Sequence, residues 1–232
     1  MKFERIEAVL FDAVGTLIAP RQPVAGTYQA IGRRRGFSLS KEQIATRFRQ
    51  AFARQETADA ASGDWRTSED RERRRWREIV FEVFDGAGAA EDREALFDDL
   101  WNFFAAPSNW RVFEDVEPTL ASLGERGVAV KIASNFDVRL ERIARELPPL
   151  GGCQHLFISS QVGFRKPGRS FFRAVEASLG IAPDRLLLVG DDRVNDVDGA
   201  RACGWKTVLL DRNAQSRVKF SIGSLTDVLA ML

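Results

Sequence analysis

Histidine occurs once in the 232 residues, at His155, and cysteine only at Cys153 and Cys203. So few nitrogen and sulfur ligands make no cluster of zinc-binding type, and a single histidine argues against serine–histidine hydrolysis. One pair of cysteines is also too few for a disulfide framework. Neither sign of charge is in excess: 34 Lys and Arg face 33 Asp and Glu, for a net +1, so a nucleic-acid partner is not expected. Long apolar runs are missing too. The longest, such as Leu186 to Val189, are strand-sized, and the chain reaches Asp12 too soon for a membrane or secretory segment. The expectation is a cytoplasmic protein with no membrane partner. Hydrophobic residues, at 44%, suffice for a full core, either one large domain or a domain with an insertion.

Five short apolar runs have strand character: Val9 to Phe11, Val128 to Ala133, Leu156 to Ser159, Leu186 to Val189 and Thr207 to Leu210. Between the later ones lie helix-length segments, for example Phe136 to Leu147 and Ser170 to Leu179. Near-continuous apolar strands alternating with helices imply a parallel sheet covered on both faces. Ser224 followed by Asp227 predicts a capped last helix over Leu225 to Leu232. The stretch from Arg21 to Trp110 differs. It has no convincing strand, many Arg and Glu residues, and apolar residues at helical spacing, as in Trp76, Ile79, Val80, Val83 and Phe84. It reads as a helical insertion, with Pro20, Pro23 and Pro107 at its edges. The arginine runs 33–35 and 73–75 read as solvated helix faces.

Chemistry-bearing residues follow the strands, where open α/β sheets place their sites. Asp12 ends the first run and is followed by Gly15, which frees the backbone to turn. Ser134 ends the second run and offers a hydroxyl for a developing oxyanion, although a serine there also serves as a turn former or cap. Lys166 stands in Gly163-Phe164-Arg165-Lys166-Pro167-Gly168, just before a proline that reads as a helix start. A lone lysine is usually a solvated surface residue. Asp191, Asp192, Asp196 and Asp198 crowd the end of the fourth run. Carboxylates at this density repel unless a cation or solvent relieves them, and Mg²⁺ suits a few hard oxygen donors, while Asp192 and Asp198 also fit as caps or exposed helix charges.

The run Phe11-Asp12-Ala13-Val14-Gly15-Thr16-Leu17 resembles the first motif of the haloacid dehalogenase superfamily. The segments around Ser134-Asn135, Lys166 and Gly190-Asp191-Asp192 resemble its later motifs, in the same order. The resemblance implies a Rossmann-like three-layer α/β fold with a parallel sheet, residues 1–18 and 112–232 forming the catalytic core and 19–111 an inserted helical cap. It implies catalytic roles for Asp12, Ser134 and Lys166, and substrate contacts for Thr16 and Asn135. Mg²⁺ would be held by Asp12, Asp191 and the backbone carbonyl of Val14, with Asp192, Asn195 and Asp196 around it.

Phosphatases that resemble this chain carry a second aspartate where Val14 stands, a group that protonates the leaving alcohol and later activates water. Valine does neither. One subgroup of the superfamily, to which Val112 to Asn135 and Leu156 to Phe172 look closest, also lacks that aspartate. The reading is therefore a Mg²⁺-dependent phosphatase of small phosphorylated metabolites, acting through an aspartyl phosphate and slowed by the missing acid. A weakly catalytic protein that binds a phosphorylated ligand or a partner is the alternative. A 2-haloacid dehalogenase is a further one, disfavoured because the dehalogenases that resemble this chain carry uncharged residues where Asp191 and Asp192 stand.

Overall fold

The computed structural model describes residues 3–153, 155–213 and 220–232. The chain separates into two compact units: Pro20–Asp64 with Glu69–Arg111 make one, and the flanking chain, joined by the short segment Trp65–Ser68, makes the other. Ala19 and Trp65–Ser68 thus fall outside the helical unit, although the motifs alone set the insertion at 19–111. The backbone explains the second exception. Thr67 N donates to the Gly163 carbonyl at 3.0 Å, and Arg165 N donates to that of Trp65 at 2.9 Å, so the middle of the insertion returns to the sheet-bearing unit.

That unit is built on a six-stranded sheet of β1 (Ala8–Phe11), β4 (Ala129–Ser134), β5 (Leu156–Ile158), β6 (Leu186–Gly190), β7 (Lys206–Leu210) and β8 (Ser221–Ile222). The order is β5-β4-β1-β6-β7-β8, with every pair parallel. Two further strands, β2 (Ile18–Pro20) and β3 (Trp110–Val112), pair with each other. All four residues of β1 are fully buried, as a central parallel strand covered on both faces requires. On one face Ala8, Leu10, Leu186 and Leu188 pack with Phe171, Phe172 and Val175 of the helix Arg169–Leu179, and Trp205 completes the cluster.

Register carries this packing to the site. Phe11 pairs with Ile132 on one side and Val189 on the other. The residues that follow each strand therefore leave the sheet together at its carboxyl edge: Asp12 after β1, Ser134 and Asn135 at the end of β4, and Asp191 after β6.

The helical unit comprises α1 (Val24–Arg34), α2 (Lys41–Ser62), α3 (Glu69–Val83) and α4 (Arg93–Ala105). Its core includes Tyr28, Ile31, Ile44, Ile79, Val83, Phe84, Leu96 and Leu100. A reciprocal capping box between Ser40 and Gln43 starts α2. The run 73–75 is not uniformly solvated. Arg73 pairs with Asp98 at the surface, but Arg75 turns inward and is neutralised by Asp59 and Glu56. No helix among the described residues is long and apolar enough to cross a membrane.

Several element ends differ from the sequence expectation. The helix expected from Phe136 begins at Arg139, because Asp137 accepts from the Arg139 N–H and holds the intervening residues in a turn. The helix after Lys166 begins at Arg169 rather than at Pro167. The last segment has its Ser224–Asp227 capping box but is a 3₁₀ helix over Leu225–Ala230. Strands β2, β3 and β8, two or three residues long, are too short to show a period.

The packing around β1 and β6 makes a direct expectation. Phe172→Ala removes a fully buried ring that meets Phe171 and Trp205 edge-on. It should cost about 3–5 kcal/mol in denaturant unfolding; a loss below ~1 kcal/mol would mean that this cluster does not hold the helix to the sheet.

Candidate active site

Lys166 is the centre of the site. Its side chain is 1% exposed, and its ammonium donates to Asp12 Oδ1 at 2.8 Å, Asp196 Oδ1 at 2.5 Å and the Ala133 carbonyl at 2.7 Å. An ammonium has three donors, and all three are used. Burial opposes the charge, but Asp12 and Asp196 outweigh it and raise the pKa, so Lys166 stays protonated. Its backbone is held as firmly. Lys166 N donates to Asn135 Oδ1 at 2.8 Å, while Asn135 Nδ2 donates to the Lys166 carbonyl at 2.9 Å.

These bonds give Asn135 a structural task. Its amide, which the resemblance assigns to substrate, faces the main chain of Lys166. Ser134 is buried at the end of β4, and its hydroxyl has no hydrogen-bond partner among the described residues. Asp12 Oδ2 likewise has none, Oδ1 alone being taken by Lys166.

Asp191 stands across from Asp12 and is fixed by the turn after β1. Thr16 Oγ1, fully buried, donates to Asp191 Oδ1 at 3.1 Å. Gly15 has φ +90°, and a Cβ there would run into the Asp191 carboxylate. The turn thus needs glycine both for its left-handed backbone and for the approach of Asp191. The Thr16 hydroxyl, expected to meet substrate, is committed to Asp191 instead. Asp196 is buried, accepting from Lys166 and, through Oδ2, from Asp192 N at 3.1 Å. A Cβ at Gly190 would collide with that carboxylate. Asp192 caps the following turn, accepting from the N–H groups of Val194 and Asn195 and from Asn195 Nδ2. Asp198 is exposed, 3.6 Å from Arg193, and His155 is exposed.

Asp12, Asp191 and Asp196 each offer a carboxylate oxygen within 4.8 Å of the others. Three carboxylates and one ammonium leave two negative charges, which a divalent cation would balance. Asp196 already has Lys166 and Asp192 N as partners, so Asp12 and Asp191 are the carboxylates with oxygens to spare. Hard oxygen donors, with the Val14 carbonyl nearby in the chain, fit Mg²⁺. The unbalanced charge shows in Asp191. Asp191 is exposed as a residue, but its carboxyl is crowded by Gly15 and Thr16, and this partial loss of hydration together with the charge of Asp12 pushes its pKa up to about 6. Burial and the charge of Asp12 likewise push Asp196 up, to about 7, with Lys166 offsetting only part of the rise.

Two contributors carry no sequence signal of their own. The Ala133 carbonyl is main chain, and any residue supplies one. Segment Trp65–Ser68 reaches the Lys166 loop from the middle of the insertion, and the only local sign is Gly168, where a Cβ would meet the Trp65 side chain.

Asp191 makes stability depend on pH. Its folded pKa lies above the ordinary 3.8, so the folded state binds the proton more tightly, and stability falls as pH rises from about 4 to about 6. Asp191→Asn removes that loss. In chelator-treated protein the variant should melt higher than wild type at roughly pH 7.5, with the gap closing toward roughly pH 4; a lower melting point at neutral pH would contradict the charge balance described.

Residues 6–204 match the family model of the haloacid dehalogenase-like hydrolases. Haloacid dehalogenase-like hydrolase domain-containing protein 3 of Mus musculus is 30% identical over 211 residues, 89% of this chain and 82% of its own. A ribulose-1,5-bisphosphate 5-phosphatase of Halopiger xanaduensis is 30% identical over 90% of this chain and 86% of its own. In structure, a crystallised dehalogenase superposes with a TM-score of 0.76 at 19% identity, covering 99% of this chain and 98% of that one, which shows the shared fold. Sequence match, sheet topology and the order of the motifs agree: the chain belongs to the haloacid dehalogenase-like hydrolases.

Proposed function

We propose that this hydrolase is a Mg²⁺-dependent phosphatase of small phosphorylated molecules, in which Asp12 carries the phosphoryl group. The observation that supports it most is the state of Asp12. One oxygen is held by a buried, charged lysine, the other has no partner among the described residues, and Asp191 lies within metal-sharing distance. A carboxylate so oriented is a nucleophile for phosphorus. The phosphatase relative reported above supports the same reaction class.

Asp12, Asp191 and the Val14 carbonyl would hold Mg²⁺, which when bound supplies charge stabilisation to the transferring phosphoryl group. Lys166 keeps Asp12 aimed, and its three fixed bonds assign it to orientation rather than to proton transfer. Ser134, whose hydroxyl has no partner among the described residues, donates to a phosphoryl oxygen. In the first step Asp12 Oδ2 bonds to phosphorus and the oxygen of the leaving group departs with the bonding pair. In the second, water attacks the aspartyl phosphate, releasing phosphate and restoring Asp12. We assign the choice of substrate to the helical unit, in the role of a cap.

Val14 sets the rates. With no carboxylate at that position to protonate the leaving group, alkyl phosphates suffer most and aryl or acyl phosphates least. The same residue favours the second reading, a protein that binds a phosphorylated ligand with little turnover. Halide displacement from a 2-haloacid is disfavoured, because Asp191 beside Asp12 would repel the substrate's own carboxylate.

Two substitutions test the proposal. Asp12→Asn should abolish Mg²⁺-dependent phosphate release in a metabolite screen while the protein stays folded; unchanged turnover would exclude the covalent route. Val14→Asp should raise turnover of alkyl phosphates more than of aryl phosphates, by up to ~10² in the alkyl series, with desolvation of the new charge holding the gain down. An equal response in both series would mean that another residue supplies the proton.

A further inference from the structure

The turn that seats Asp191 has a second neighbour on its far side. Arg212, which follows β7, donates from Nη2 to the Thr16 carbonyl at 2.8 Å and from Nε to the Gly15 carbonyl at 3.4 Å. The same guanidinium forks onto Asp115, Nη1 to Oδ2 at 2.8 Å and Nη2 to Oδ1 at 3.0 Å, and its carbon lies 3.9 Å from the Phe113 ring centroid. Asp115 is itself anchored, accepting from Ser224 Oγ at 3.0 Å and Leu225 N at 2.8 Å. Burial works against its charge, yet Arg212 and the Leu225 N–H hold its carboxyl below the usual range.

The residues so gathered come from both ends of the insertion. Gly15 and Thr16 lie just before the chain leaves through β2. Phe113 and Asp115 lie just after it returns through β3, and Phe113 N donates to the Leu17 carbonyl at 3.1 Å. One planar fork with five donors thus binds the outgoing backbone, the incoming carboxylate and the incoming ring, and a lysine has no geometry for all three. The turn it holds is the one whose other side carries the Thr16–Asp191 hydrogen bond and the Gly15–Asp191 approach.

We infer that Arg212, braced by Asp115, is a positioning residue for the metal site: it pins the Gly15–Thr16 turn so that Asp191 stays at metal-sharing distance from Asp12 whatever the two linkers do. This rests on the Mg²⁺ reading above. Arg212 touches neither the substrate nor the ion. Outer partners of metal sites are commonly worth ~10–100-fold in affinity, and an arginine acting through a backbone turn belongs at the lower end.

Calorimetric titration of the full-length, chelator-treated protein with MgCl₂, beside thermal melts, tests this. Arg212→Ala should weaken Mg²⁺ binding about tenfold at a temperature where the variant is fully folded. Ser224→Ala removes a bond to Asp115 but none to the turn, and should lower the melting point without changing Mg²⁺ affinity. If Arg212→Ala does not fold, Asp115→Asn serves in its place, because it keeps the arginine and loosens its brace; it too should weaken Mg²⁺ binding. Mg²⁺ affinity within twofold of wild type in the folded arginine variant, or in Asp115→Asn, would overturn the inference and reduce the pair to a staple for the C-terminal segment. Absence of Mg²⁺ binding by the wild type is a different result: it would overturn the metal reading itself, and this inference with it.

Discussion

The ion pair between Lys166 and its two aspartates is the interaction on which the rest of the site depends. A buried ammonium without partners would be severely destabilising, and two buried carboxylates without it would repel each other. Together, and with the Ala133 carbonyl, they form a fully bonded group that ties the ends of β1 and β4 to the turn after β6. The group fixes Asp12 in one direction. It also uses up every donor of Lys166, so in the proposed reaction the lysine acts through the direction it gives Asp12.

What the lysine leaves undone is as informative. Asp12, Asp191 and Asp196 bring three carboxylates against its one positive charge, and the imbalance shows in both Asp191, pushed up to about 6, and Asp196, pushed up to about 7. The chain holds Asp191 in place nonetheless, with Thr16 donating to it and Gly15 making room. An arrangement that spends a buried hydroxyl and a left-handed glycine on keeping two carboxylates close is destabilising by itself and would be relieved by the proposed divalent cation.

Much of this was legible in the sequence because it follows from period and register. Apolar runs ending in Asp12, Ser134 and Asp191 mark parallel strands, and parallel strands in register bring their last residues to one edge. The acidic crowding after Leu186 to Val189 implies mutual repulsion that either a cation or solvent relieves. What stayed hidden depends on which partner a polar group chooses in three dimensions. Asn135 and Thr16 look alike as substrate-facing residues in the motif, yet one bonds the Lys166 main chain and the other Asp191. Arg212 and Asp115 lie outside every motif and meet only because β7 and the returning linker end near the same turn. Arg75 sits in a basic run with the composition of a solvated face, and its burial is visible only once Asp59 and Glu56 are seen beside it.

Val14 turns these static features into a kinetic expectation. On the proposed mechanism, a nucleophile held by Lys166 would need little further help to accept a phosphoryl group from a good leaving group, but releasing it would require an activated water, and valine activates none. The phosphorylated form of Asp12 should therefore accumulate. Mass spectrometry of peptides from protein acid-quenched during turnover of an aryl phosphate with Mg²⁺ measures this directly. The account predicts a phosphoryl group on the peptide carrying Asp12, present in wild type and absent from Asp12→Asn; steady phosphate release with Asp12 never modified would contradict it.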